Sequence, residues 1–244
     1  PEAQQAPSAE EARAFISDVD QGLRGVWTKQ SRADWINQNF ITSDTDALAA
    51  DAQEASMEYV TRKIKESQRF RGIASLDPDT ERQLELLRRG TVLPAPSDPV
   101  LRRELAQLSV DLQSKYGTGK YCSDKLAKYK QVPKGEKPKD NCLNLGELSR
   151  ILENEKASFE ELEEAFLGWR TISVTLRKPY QRFVELGNMG AKEIGYDNLG
   201  ELWKGRYDMT GAELEVFIIR LLPRSTLLPD APLFHARAKL RKKW

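Results

Sequence analysis

Gly168-Trp169-Arg170, Pro179-Tyr180-Gln181-Arg182-Phe183-Val184-Glu185-Leu186-Gly187-Asn188, Ala191-Lys192-Glu193-Ile194-Gly195-Tyr196 and Gly200-Glu201-Leu202-Trp203 form the run whose reading decides the fold. It follows Ser158-Phe159-Glu160-Glu161, a capping box in which the serine and the glutamate three residues on satisfy each other's backbone donors. The helix opened there is predicted to reach Gly187 or beyond. Pro179 falls inside the periodic run and is predicted to kink it, because proline removes a backbone donor and crowds the preceding turn. Glu160, Glu161, Glu163 and Glu164 cluster at the helix start. There they complement the positive end of the dipole and read as a solvated face, not as an acid/base pair.

Upstream the pattern is helical nearly throughout. Ser8, just before Glu10 and Glu11, opens a long segment in which Phe15, Val19, Leu23, Val26 and Trp27 recur at three- and four-residue spacing. The stripe extends to Trp35 and Phe40. Thr42-Ser43 breaks it, and Ser43 with Asp46 reads as the capped start of a second helix carrying Leu48, Ala52, Ala55, Tyr59, Ile64 and Phe70. Gly72 and Asp77-Pro78 end that element. A short amphipathic helix from Asp79 to Arg89 stops at Gly90, and Pro94 and Pro96 make a rigid linker. Asp98-Pro99 opens the next helix, with Val100, Leu101, Leu105, Leu108 and Leu112 as its apolar face. Between Tyr116 and Asn141 the composition turns to Gly, Lys and Pro, which predicts a loop insertion over about 116–141, outside the core. Leu145 to Glu153 reads as a short helix. Thr210 and Glu213 cap another that runs through Leu222, before Pro223, Pro229 and Pro232. Period-two alternation appears only in short pieces such as Ile172 to Thr175. The class is all-α, as one continuous domain over 1–244.

A chain of 244 residues can bury a substantial core. With 38 basic and 37 acidic residues, no global field favours nucleic acid or an anionic membrane. The basic end Arg237-Ala238-Lys239-Leu240-Arg241-Lys242-Lys243 reads as dipole-complementing residues of a last helical turn, so no nucleic-acid partner is expected. The longest apolar stretch, Val216 to Leu222, is broken by Arg220 and is too short for a transmembrane segment. The leader Pro1-Glu2-Ala3-Gln4-Gln5-Ala6-Pro7 looks like the trimmed end of an exported protein, which predicts a secreted or periplasmic location. Cys122 and Cys142 flank a Lys/Pro/Gly-rich loop. By themselves they are either a staple suited to an oxidising compartment or two free thiols.

The histidine count decides most of the chemistry. His235 is the single one, read as a helical side chain between Phe234 and Ala236. A hydrolytic zinc helix of the H-E-x-x-H type needs two imidazoles four apart with a glutamate between them as base. Two cysteines and one histidine also leave a structural zinc site one ligand short. Tyr116-Gly117-Thr118-Gly119-Lys120 lacks the G-x-x-x-x-G-K-[S/T] spacing of a phosphate loop and reads as a solvated turn. No catalytic and no metal-ligating residue is therefore assigned.

The combination G-W-R, then Tyr180-x-x-Phe183-Val-Glu-Leu-x-Asn188, then Gly195-Tyr196, then Trp203 followed by a basic residue resembles the amino-terminal half of the angiotensin-converting-enzyme-like zinc peptidyl-dipeptidases. The likeness covers most of the chain from the Trp35 region and is strongest from Cys142 to Asp208. It implies long helices forming the lid and one side of a deep-cleft zincin-type peptidase. Asp34-Trp35-Ile36-Asn37-Gln38-Asn39-Phe40-Ile41-Thr42 matches the family's lid segment, with Trp35 as a packing residue and Asn37 and Asn39 as candidates for the cleft wall. It also implies a Cys122–Cys142 disulfide closing the loop before the G-W-R helix. Lys204 stands where members carry an arginine that helps bind a buried chloride, with Arg206 nearby as a substitute. Trp244 stands at a second anion-site position where members carry a tyrosine.

Zinc and chloride are then the cofactors of a parent enzyme, and neither site is expected to be complete in this chain. The H-E-x-x-H helix, the third zinc ligand and the carboxylate-gripping residues of members lie in their carboxy-terminal half. The expected function is thus that of a fragment. The parent releases carboxy-terminal dipeptides from a peptide substrate, and this half, with the missing half as partner, supplies lid and wall and hydrolyses nothing alone. The alternative is a non-catalytic helical module of the same fold that binds peptides or proteins. A half molecule is expected to expose apolar residues among Phe217, Leu221, Leu222 and Trp244.

Overall fold

A computed structural model describes residues 7–225 except Ala74 and Lys134. The chain divides into two compact units, Pro1–Leu199 and Gly200–Trp244. The first contains α1 (Ala9–Asn39), α2 (Ser43–Ser67), α3 (Pro78–Gly90), α4 (Pro99–Thr118), the hairpin β1 (Lys120–Cys122) and β2 (Cys142–Asn144), α5 (Leu145–Leu152), α6 (Phe159–Arg170) and α7 (Ser173–Glu193). Helix α8 (Leu199–Lys204) begins at its boundary, and α9 (Gly211–Ser225) belongs to the second unit. The all-α class holds: among the described residues the strands are one three-residue pair.

Helix α1 opens on the expected cap, the Ser8 hydroxyl accepting the Glu11 N–H while the Glu11 carboxylate accepts the Ser8 N–H. Its first half carries the predicted stripe: Ala12, Phe15, Ile16 and Val19 are buried with Phe70 and Leu84. Each large apolar side chain enclosed there contributes about 1.5–3 kcal/mol. Beyond Leu23 the stripe leaves the core. Trp27 and Phe40 are exposed, and Trp35 is 64% exposed, so it is not the packing residue expected. The face that α1 turns to α2 at this end is occupied by Asn37, whose side-chain N–H groups go to Thr45 and Asp46. Two residues away is about 200° around a helix, which carries the Trp35 ring to the other side.

The second helix is capped one residue earlier than the sequence suggests. The Thr42 hydroxyl accepts the Thr45 N–H and the Thr45 hydroxyl accepts the Thr42 N–H, which leaves Ser43 inside the first turn. Helix α2 ends at Ser67 in a 3-10 turn over Gln68–Phe70, and Gly72 takes a positive φ of 79° that a side chain would resist. Asp77 caps α3 through Thr80, with Pro78 in its first turn. The linker before α4 is buried: Pro94, Ala95 and Pro96 are enclosed, and Ala95 joins Met57, Leu105, Ala106 and Leu186 in a core shared by α2, α4 and α7. Val100, predicted on the apolar face of α4, is exposed.

The 116–141 segment is more than an excursion. Helix α4 runs through its first three residues, and β1 then pairs antiparallel with β2 in the register Cys122↔Cys142. Leu126, an apolar residue in a lysine-rich run, is fully buried with Leu143, Leu148, Ile151 and Ala165.

The long helix predicted from Ser158 to Gly187 is two helices, and the break is not at Pro179. Helix α6 stops at Arg170 and α7 starts at Ser173. In between, N–H groups bond three residues back, Thr171 to Gly168, Ile172 to Trp169 and Val174 to Thr171. The hydroxyls of Thr171, Ser173 and Thr175 take the carbonyls of Gly168, Arg170 and Ile172. A run of hydroxyl residues offers the backbone partners other than its own helix, and here that competition outweighs the proline.

Candidate functional site

The residues that carried the family likeness prove to be scaffold. Gly168 is buried because the Tyr121 ring of β1 lies on it; a Cβ there would sit 2.5 Å from that ring. Trp169 meets the Tyr116 ring edge-on, with centroids 5.3 Å apart, and packs against the hairpin core. The Arg170 guanidinium lies over the Phe166 ring. In α7, Tyr180 stacks on Phe183 and Leu186 is fully buried. The Asn188 carbonyl accepts the Leu199 N–H at 2.9 Å, tying α7 to the start of α8. Gly195, at φ 95°, terminates α7, and the Tyr196 N–H returns to the Ala191 carbonyl.

The Cys122–Cys142 disulfide is formed and closes the hairpin beside α6. Around it Glu161 gathers three partners: the Lys128 ammonium at 2.5 Å, the Tyr129 hydroxyl at 2.9 Å and the Ser158 N–H at 2.9 Å. Led by the Lys128 contact, these hold the Glu161 carboxyl down at about 2.

Asn37 is buried, its amide N–H groups spent on Thr45 Oγ1 (3.3 Å) and Asp46 Oδ1 (2.6 Å). It also lines a polar recess between α1, α2 and α4, together with Gln30, Asp34, Gln38, Gln53 and Gln113. Asn39 is exposed and donates to the Trp35 carbonyl at 2.7 Å, outside that recess. Asp34 and the glutamines were not singled out from the sequence. The available signal was positional: residues 30, 34, 37 and 38 fall on one face of a helix. Burial raises the Asp34 carboxyl above its ordinary value, against an opposing hydrogen bond from Gln30.

In the second unit, the Lys204 ammonium lies between Glu201, at 2.7 Å, and Glu215. The two carboxylates, Glu201 foremost, raise its proton affinity. Two of the three N–H donors of Lys204 are thus engaged by carboxylates. Arg206 is exposed in the turn after α8. Among the described residues no three of His, Cys, Asp and Glu stand together as a metal-ligand set. Both cysteines are consumed by the disulfide, so the residues in hand do not fit zinc. His235, Trp244 and the basic end lie outside the described residues. Phe217 and Leu221 of α9 are exposed, whereas Leu222 falls outside what is described of side chains.

A family model described as peptidase M2, angiotensin-converting enzyme, matches residues 6–222. The chain belongs to the angiotensin-converting-enzyme family. It is 20% identical over 210 residues to the angiotensin-converting enzyme of Bos taurus, covering 85% of this chain and 15% of that protein. It is 25% identical over 203 residues to the Oryctolagus cuniculus enzyme, covering 81% of this chain and 14% of that one. To the angiotensin-converting enzyme-like protein Ace3 of Mus musculus it is 25% identical over 210 residues, covering 82% of this chain and 25% of that protein. The chain thus spans a seventh to a quarter of the length of these relatives. Within the family framework, the G-W-R helix and the disulfide hairpin form one packed unit. No described helix is long and apolar enough to cross a membrane.

Proposed function

We propose that this chain is the amino-terminal helical half of the catalytic domain of a secreted or periplasmic zinc peptidyl-dipeptidase. In that reading α1 and α2 supply the lid and one wall of the cleft. The zinc ligands and the residues that grip the substrate carboxylate come from polypeptide outside this chain. Zinc, when bound by that other part, supplies a water lowered in pKa for attack on the scissile carbonyl. The residues of this chain exclude solvent and shape the approach.

The observation that carries the reading is a conjunction. A match to the peptidase family over residues 6–222 accompanies a sequence with one histidine, so no H-E-x-x-H pair can form within it. The formed disulfide is in keeping with an exported protein. The test is dipeptide release from a blocked tripeptide by the purified chain, with and without added zinc. The expected result is none. Release that a chelator abolishes and zinc restores would refute the division of labour. Intact-mass measurement of the natural protein distinguishes a half molecule from a stand-alone binding module.

A further inference from the structure

We propose that the recess between α1, α2 and α4 is a binding subsite for a protonated primary amine, with Asp34 as its counter-ion.

The argument is one of donors and acceptors. The polar residues lining the recess are one carboxylate, Asp34, and five amides, Gln30, Asn37, Gln38, Gln53 and Gln113. Among the described residues no lysine or arginine lines it. Three of the amides spend one or both N–H groups inside the protein. Asn37 donates to Thr45 and Asp46, Gln53 donates to Ser109 Oγ at 2.9 Å, and Gln30 is hydrogen-bonded to Asp34. Both N–H groups of Asn37 are engaged, so it has only its carbonyl oxygen left to offer, while Gln53 and Gln30 each keep one N–H. Each lining amide also carries a carbonyl oxygen, and the one formal charge among the lining residues is the half-buried Asp34 carboxylate. A ligand that complements that charge carries positive charge and donates hydrogen bonds to the carboxylate and the carbonyl oxygens.

Among cations, an ammonium brings three donors and no acceptor. Asp34, Asn37 and Gln53 supply that number of acceptor groups from two helices, and Gln113 adds a third helix. A calcium-type ion wants about six to eight oxygens converging at bonding distance, and the described residues contain no such acidic cluster. Burial of Asp34 points the same way, since a bound ammonium returns the stabilisation that desolvation removed.

That the amine belongs to a peptide, as its α-amino group or a lysine side chain, rests on the peptidase reading above. The preference for an ammonium does not. The test uses the full 244-residue chain and NMR of side-chain amides, titrated with n-butylammonium chloride, Ala-Ala-amide, N-acetyl-Ala-Ala-amide and potassium chloride. Saturable shifts of the glutamine amides are expected with butylammonium and with the free-amine peptide, and none with the acetylated peptide. Asp34→Asn is expected to weaken binding about tenfold, the scale of losing one charged hydrogen bond. Asp20→Asn, on an exposed i,i+4 pair with Arg24 of the same helix, should leave it unchanged. Gln113→Leu, on α4, provides an independent loss should Asp34→Asn unfold the chain. Equal binding of the acetylated peptide, undiminished binding by Asp34→Asn, or saturation by potassium where butylammonium has no effect would each overturn the proposal. Binding of butylammonium without the dipeptide upholds the amine subsite and removes its peptide source.

Discussion

Gly190→Ala is the substitution for which the structure gives the sharpest number. A Cβ built there would lie 2.1 Å from the Pro94 carbonyl oxygen, 2.5 Å from its carbon and 2.8 Å from the Ala95 carbonyl carbon. Ordinary contact begins near 3.4 Å, so the linker or α7 must retreat by more than an ångström. Neither does so freely. Pro94, Ala95 and Pro96 are enclosed, and Ala95 packs in the core of Met57, Leu105, Ala106 and Leu186. The linker's far end is fastened too, the Ser97 N–H donating to both Glu193 oxygens at 3.0 Å. Overpacking costs about 1–3 kcal/mol even where side chains yield, and here the obstacle is backbone. Against this, alanine gains about 1 kcal/mol over glycine inside a helix. With the cost at the top of that range, the balance is a net loss of about 2 kcal/mol, or about 4–8 °C in Tm for a chain of this size.

Gly25→Ala is the control, since nothing lies within 4 Å of its Cβ position on the exposed face of α1. There the propensity term acts alone, and a gain of about 0.5–1 kcal/mol is expected. Urea unfolding of both variants measures the contrast. If Gly190→Ala unfolds at or above the parent midpoint, α7 and the linker are not packed as described.

Acid should test the Glu161 cluster. Its carboxyl is held at about 2 against an ordinary 4.5, and Asp77, bonded by the Thr80 N–H and hydroxyl, also sits at about 2 against 3.8. A depressed carboxyl stabilises fully above its unfolded value and loses that contribution as pH falls toward the folded one. Tm should therefore drop between about pH 4.5 and 2. The double variant Glu161→Gln, Asp77→Asn should start lower and fall less steeply over that window, and an unchanged slope would remove both groups as the cause. Replacing Cys122 and Cys142 by serine opens a loop of sequence separation 20 and should cost about 2–4 kcal/mol by equilibrium unfolding. The damage should fall on hydrogen exchange in β1, β2, α5 and α6, and uniform loss over α1 and α2 would contradict that.

The helices were legible because capping and periodicity are local. Ser8, Asp98 and Ser158 each cap where the pattern placed them. What was misread depends on partners distant in sequence. Trp35 and Val100 satisfy a helical period, yet no element among the described residues covers them. Leu126 lies among lysines and is nevertheless buried, because the disulfide hairpin brings α5 and α6 against it. The break at Thr171 was local in origin, but its hydroxyls carry less weight in a sequence pattern than the proline eight residues later. Of the candidate site, the cysteine pairing followed from the family likeness. Asp34 and its amides did not, since their meaning lies in where Asn37 and Gln53 direct their nitrogens.

The G-W-R helix and the proposed amine recess are formed by separate residues, and Trp169→Ala can test whether they act separately. Trp169 is partly buried against Tyr116 and the Leu126–Leu143 core, so its truncation should cost about 2–4 kcal/mol, toward the lower end for a large aromatic. It shares no residue with the recess of Asp34, Gln53 and Gln113. Effects at sites without shared partners add independently. At a temperature where the variant is still folded, butylammonium should bind it as it binds the parent, while Asp34→Asn should weaken binding about tenfold. If Trp169→Ala abolished amine binding in the folded state, the G-W-R helix would be part of the ligand machinery. The separation between the G-W-R scaffold and the amine recess would then fail.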